Sequence, residues 1–236
     1  MIIPYFMEII PWLYGQAAKG FRNEPARKMK DKLRPIKHAL VGKQGIYKAI
    51  GLLRGDIKVI FDVGAAIGEA SLPLARAFPD AQIYAFEPLP ESFELLVKRT
   101  KKFSDRFHYF NTVLTDRPGA LTFYVREDHH DASSLLPQAP GLKSHEIVVP
   151  SKRLDDVCAA IGVTHIDFLK VDVEGMEKEM LAGAREILRH TNNVFVEISP
   201  ERKGYNHDYI DVFEYLHAAG LSFVGVHDDY LFSRMQ

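Results

Sequence analysis

The chain is short of the features that mark several common protein classes. It has one cysteine, Cys158, so it forms no internal disulfide and offers none of the usual zinc spacings. Its formal net charge is −1, which gives no support to bulk electrostatic binding of nucleic acid. It has no long hydrophobic run. The apolar stretch MIIPYFMEIIPWLY stops at Tyr14, is interrupted by Pro4, Glu8 and Pro11, and is too short to span a bilayer. Basic residues follow that stretch instead of preceding it, the reverse of a secretory signal. There is no internal repeat, no G-x-G-x-x-G pattern, no Lys-Ser/Thr phosphate loop and no N-P-P-Y-type tetrapeptide for methylating a base.

What is present suits a folded α/β chain. Its 236 residues are 47% apolar, enough for one large domain, or one domain with an appendage. The cysteine usage fits a reducing, cytoplasmic compartment. Residues 1–55 read as an N-terminal helical appendage and 56–236 as the main domain. The appendage has two readings. It packs on the domain or on a second copy, making a homodimer. Alternatively, it makes a peripheral membrane contact through residues 1–30. Phe6, Trp12 and Tyr14 would then sit among headgroups, and Lys19, Arg22, Arg27 and Lys28 would face anionic lipid.

From Lys58 the chain alternates between strand and helix patterns. KVIFDV, AQIYAF, RFHYFNTVL, IDFLKVDV and NVFVEIS read as strands. EASLPLARAF, PESFELLVKRTKKF, MEKEMLAGAREILRH and YIDVFEYLHAAG read as helices. This order predicts a parallel sheet with helices on both faces. LSFVGVH and YLFSRM are joined too tightly for a parallel crossover, so they predict an antiparallel C-terminal hairpin. An insert at 117–164 breaks the alternation. Its two strand-like runs, ALTFYV and HEIVVP, flank a long loop, and it is a natural substrate cover.

The most informative stretch is VIFDVGAAIGEASLPLA. A dinucleotide loop would have its second glycine where Ala66 stands, and Asp62 ends the strand. A carboxylate there repels a pyrophosphate and attracts an ammonium or sulfonium. Glu87 ends the next strand, in YAFEP, where an acid accepts hydrogen bonds from ribose hydroxyls. A ribose, a cation and no diphosphate describe S-adenosylmethionine. The expected fold class is therefore Rossmann-like, a seven-stranded mostly parallel sheet with the antiparallel hairpin of the class I methyltransferases. The plainer alternative is that Gly64 and Gly68 only make a tight strand-to-helix turn.

Successive segments resemble the FkbM-type methyltransferases: FDVGAAIGEASLPLA, IYAFEPLPESFELLVK, NTVLTDRPGALTFYV, DASSLL, VPSKRLDDV, IDFLKVDVEGMEKEMLAGAREIL and VFVEISP. The chain departs from the usual pattern at Ala66, where Asn is common. The resemblance implies O-methylation of a hydroxyl on a sugar, glycolipid or polyketide-like molecule. Asp62, Gly64, Ala66, Gly68, Glu87 and Val113 are the expected cofactor residues.

Acceptor chemistry points to other acids. Lys170 and Asp172 interrupt an apolar strand on one face, and Glu174 follows into the cleft. They form a buried pair with a capping acid, or they serve the acceptor. Glu197, in VEISP, caps a turn or joins Asp172 and Glu174 as a candidate general base. His129, His130, Ser133 and Ser134 are the expected acceptor-side residues, and Tyr205, Asn206 and His207 form either a second loop that contacts the acceptor or a plain surface loop. Adjacent ligands such as Asp128 to Asp131 rarely converge on one ion, so no metal is expected. A non-catalytic cofactor-binding or scaffold protein, and an NAD-dependent oxidoreductase, are the competing functions.

Overall fold

The structure is a computed structural model and describes residues 43–53, 55–127, 133–135, 141, 143–198, 209–227 and 229–234. Helix α1 (Lys43–Leu52) precedes β1 (Val59–Val63), α2 (Ser71–Ala77), β2 (Gln82–Phe86), α3 (Pro90–Thr100) and β3 (Phe107–Phe110). Short β4 (Val113–Leu114), β5 (Gly119–Arg126), β6 (Ser144–Lys152) and α4 (Leu154–Ile161) follow. Then come β7 (Ile166–Val171), α5 (Glu177–Ala182), α6 (Arg185–Leu188), β8 (Thr191–Val196), α7 (Tyr209–Ala218), β9 (Leu221–His227) and β10 (Asp229–Arg234).

The main sheet has seven strands in the order β3-β2-β1-β7-β8-β10-β9. All pairs are parallel except β8–β10 and β10–β9, so the expected terminal hairpin is there. The strand order turns back between β1 and β7, the point beyond whose carboxyl ends sheets of this kind bind ligands.

Alternating side chains feed two cores. Ile60, Ile83, Phe168, Phe195 and Leu231 pack with Ile46 and Ala49 of α1, Leu74 of α2 and Leu96 of α3. Phe61, Leu169, Val171 and Val194 pack on the other face with Leu154 of α4, Met180 of α5 and Leu216 of α7. Every residue of β7 is buried, as a central parallel strand requires. Ile46, Ala49 and Leu53 belong to a core, and a compact unit runs from Gly45 to Gln236.

Two segments differ from the sequence reading. RFHYFNTVL is two strands. Asn111 Nδ2 donates to the carbonyls of Glu87 (2.8 Å) and Pro88 (3.0 Å), and the chain leaves the main sheet there. Val113 and Leu114 then pair with Ser151 and Lys152 of β6, in a second sheet ordered β4-β6-β5. MEKEMLAGAREILRH is likewise two helices, α5 and α6. A Cβ on Gly183 would overlap the Thr115 carbonyl, and the helix breaks at that close approach. The insert also carries α4, which ends at Gly162 in the left-handed conformation (φ 73°).

Candidate active site

The carboxyl edge of the main sheet collects most of the candidate residues. Asp62 of β1 and Lys170 of β7 are register partners on adjacent strands. Asp62 is fully buried. Its Oδ2 accepts the Ser71 hydroxyl at 2.5 Å, and its Oδ1 lies 3.3 Å from Lys170 Nζ. Asp62, expected beside a ligand cation, faces the protein's own lysine at this distance. Lys170 also donates to the Gly64 carbonyl (2.7 Å) and lies 3.2 Å from Asp172 Oδ2. Burial opposes the Lys170 charge, but Asp172, Asp62 and Glu197 together outweigh it and hold its pKa above that of a free lysine.

The loop after β1 is built for close approach. Gly64 has φ 74°, and a Cβ there would overlap the Asp172 carbonyl oxygen. The Gly64 and Ala65 amides both donate to Phe86 O, at 3.0 and 2.9 Å. Ala66 sits at φ 45°, in the left-handed region that Asn tolerates better than Ala, and Gly68 at φ 86°. The Ala66 amide donates to Glu87 Oε2 at 2.8 Å, and the Leu89 amide to Oε1 at 2.8 Å. Glu87 is 7% exposed. Burial pushes its carboxyl up to about 7, against the hydrogen bonds from Leu89 and Ala66 and the Lys170 charge, which pull it down. An ionised carboxylate offers about four lone-pair sites, and the two backbone amides use two of them. The rest suit a pair of ribose hydroxyls. Glu87, the glycine turn and the partly exposed Asp172 thus fit a cofactor with a ribose and a cationic end.

Beyond β7 the chain makes a turn. The Asp172 amide donates to Val63 O at 3.1 Å, and Glu174 takes φ 55°, uncommon for a residue with a side chain. Ser134 reaches this turn from the insert. It exchanges both backbone hydrogen bonds with Tyr124 of β5, and its hydroxyl donates to Glu174 O at 2.9 Å. Ser133 Oγ accepts the Arg126 amide at 3.0 Å. Glu197 follows β8, its amide donating to Val171 O at 2.9 Å. Asp172, Glu174, Glu197, Ser134, Gly64 and Glu87 therefore gather at one sheet edge.

Val113 packs with Leu89, Phe123, Val125 and Val149 in a small core beneath the second sheet. His129, His130 and residues 205–207 lie outside the described residues, as does the expected membrane contact through 1–30. No helix among the described residues is long and apolar enough to cross a membrane. Two site residues escaped the sequence reading. Ser71 looks like an ordinary first-turn serine. Glu177, in VEGMEKE, looks like an exposed helix start, yet it is 2% exposed, and burial pushes its carboxyl up to about 7.

A family model described as the methyltransferase FkbM domain matches residues 62–223. The chain belongs to the FkbM methyltransferase family. The FkbM assignment and the class I fold make S-adenosylmethionine its cofactor. Among similar curated proteins, the 2-O-methyltransferase NoeI of Sinorhizobium fredii is 28% identical over 64% of this chain and 68% of its own length. The 31-O-demethyl-FK506 methyltransferase FkbM of Streptomyces tacrolimicus is 30% identical over 58% of this chain and 62% of its own. The hexuronic acid methyltransferase AglP of Haloferax volcanii is 26% identical over 67% and 63%. The chain thus spans about two thirds or less of these relatives. Among solved structures, a Clostridium thermocellum protein described as an rRNA-methylase superposes with TM-score 0.54 at 7% identity, covering 83% of this chain and 96% of that one. That likeness concerns the fold alone.

Proposed function

We propose that this FkbM-family chain transfers a methyl group from S-adenosylmethionine to a hydroxyl oxygen of a sugar, glycolipid or polyketide-like small molecule. The observation that carries the reading is Glu87, a buried carboxyl at the end of β2 with acceptor capacity left after the Ala66 and Leu89 amides are served. The names of the relatives support the acceptor class, since they specify a 2-O-methyltransferase, a 31-O-demethyl-FK506 methyltransferase and a hexuronic acid methyltransferase.

Glu87 would hold the ribose, and the turn from Gly64 to Gly68 would let the backbone approach the rest of the cofactor. When bound, the cofactor supplies a methyl group already activated on a cationic sulfur. The residues around it must then align the acceptor oxygen, exclude water and take one proton from the hydroxyl as the C–O bond forms. Asp172 and Glu174 are the candidates for that proton, with Glu197 a third. Asp172 is 28% exposed at its side chain, so it is open to a ligand as Asp62 is not. The second sheet and Ser133–Ser134 would cover the acceptor. The apolar-then-basic stretch of residues 1–30 supports a peripheral membrane contact or a homodimer in the cytoplasm.

The test is calorimetry with S-adenosylhomocysteine and with NAD, followed by transfer of labelled methyl to a panel of methyl glycosides that includes a hexuronic acid. Binding of S-adenosylhomocysteine and a new methyl ether on one sugar are expected. Binding of NAD alone would overturn the reading.

A further inference from the structure

One peptide group at the site is gripped at both ends. The carbonyl of Glu174 accepts the Ser134 hydroxyl at 2.9 Å, and the amide of Gly175, in the same peptide unit, donates to Glu177 Oε1 at 2.9 Å. The chain has no cis peptide bond among its described residues, so this carbonyl and amide point in opposite directions. Ser134 and Glu177 therefore hold opposite edges of the peptide plane. The turn needs such support, because Glu174 (φ 55°) and Gly175 (φ 99°) are consecutive left-handed residues. For a residue with a Cβ that conformation is strained. Rotating the 174–175 peptide would change ψ of Glu174 and φ of Gly175 and break both hydrogen bonds together.

We propose that Glu177 and Ser134 lock the 174–175 peptide against rotation and so hold the shape of the turn that carries Glu174 beside the acceptor. This inference rests on the methyl-transfer reading above. Glu177 is too deeply buried to touch a ligand, so it is a positioning residue. It needs a carboxyl group for the task. A glutamine of the same size keeps one acceptor oxygen but makes the bond from the Gly175 amide neutral, and a bond to a charged acceptor is roughly twice as strong.

The deciding measurement is hydrogen exchange by NMR in the intact protein, comparing wild type, Glu177→Gln, Ser134→Ala and the double variant. The Gly175 amide should exchange about tenfold faster in each single variant, while amides within β7 stay unchanged. S-adenosylhomocysteine should bind within about twofold of wild type. On a sugar that the wild type methylates, kcat should fall about tenfold with the KM for S-adenosylmethionine unchanged, and the double variant should fall little further. Unchanged Gly175 exchange in both single variants would overturn the lock. So would additive losses of rate in the double variant. If Glu177→Gln does not fold, Ser134→Ala decides alone. A wild type that fails to bind S-adenosylhomocysteine would sink the methyl-transfer reading, a result separate from the exchange of Gly175.

Discussion

Asp62 and Lys170 face each other in register on adjacent parallel strands, with Oδ1 and Nζ 3.3 Å apart. Neither is accessible enough to be rehydrated if the other is lost. Lys170→Met should therefore destabilise the protein by about 3–5 kcal/mol, the usual cost of stranding a buried charge. Asp62→Asn combined with Lys170→Met should recover part of that loss. Urea unfolding of the three proteins measures both effects. A loss below about 1 kcal/mol in Lys170→Met would show that Ser71 alone satisfies Asp62.

Glu87 gives the site a pH dependence. Its carboxyl titrates at about 7 in the fold against 4.5 for the free group. Folding thus favours the protonated form, a contribution present at low pH and lost as pH rises towards 7. Cofactor binding runs the other way, because two ribose hydroxyls need the ionised carboxylate as acceptor. Affinity for S-adenosylhomocysteine should rise with pH and level off above about 7, and Glu87→Gln should flatten the curve. Glu87→Ala should weaken binding by about 1–3 kcal/mol. Calorimetry over about pH 6 to 8 checks both. A wild-type curve as flat as that of Glu87→Gln would remove Glu87 from the ribose.

The loop after β1 predicts opposite outcomes at two small residues. Gly64→Ala drives a Cβ into the Asp172 carbonyl at a positive φ, so β1 and β7 must separate at their ends. It should cost more than about 2 kcal/mol and abolish measurable cofactor binding. Ala66→Asn puts a residue tolerant of the left-handed region at φ 45° and should stabilise by about 0.5–1 kcal/mol, with binding retained. Thermal melts and calorimetry on both variants decide. A destabilised Ala66→Asn would mean that its side chain has no room in the loop.

Asp172→Asn and Glu174→Gln keep size and most hydrogen bonding, so both should fold. At least one should lower single-turnover methyl transfer at saturating cofactor by about 10²–10⁴, the usual range for a lost general base. Near-normal rates in both would move the search to Glu197.

The sequence made the sheet legible because its strands are short apolar runs in strict alternation with helices, and the link between β9 and β10 leaves no alternative to a hairpin. Asn111 and Gly183 hid the rest. Each breaks an element through a contact with a distant segment, the Glu87–Pro88 carbonyls in one case and Thr115 in the other. Local pattern carries no trace of such contacts. At the site, the positions of Asp62 and Glu87 at the ends of β1 and β2 were legible because strand ends are fixed places in this architecture. The Asp62–Lys170 pair was not, because register between β1 and β7 joins segments far apart in the chain. Glu177 was missed because two residues after a glycine, in a helix's first turn, acids are ordinarily solvated.

The pairing of β1 with β7 also orders events during synthesis. A ribosome has made β1, β2 and β3, with Asp62 and Glu87 in place, long before Lys170 leaves the exit tunnel. Until then the gap in the sheet beside β1 is open and the acid at its centre has no counter-ion. Closing that gap is a non-local event, slow compared with making a local helix. The edge of β1 that faces β7 therefore stays unfilled until the second half of the chain has been made.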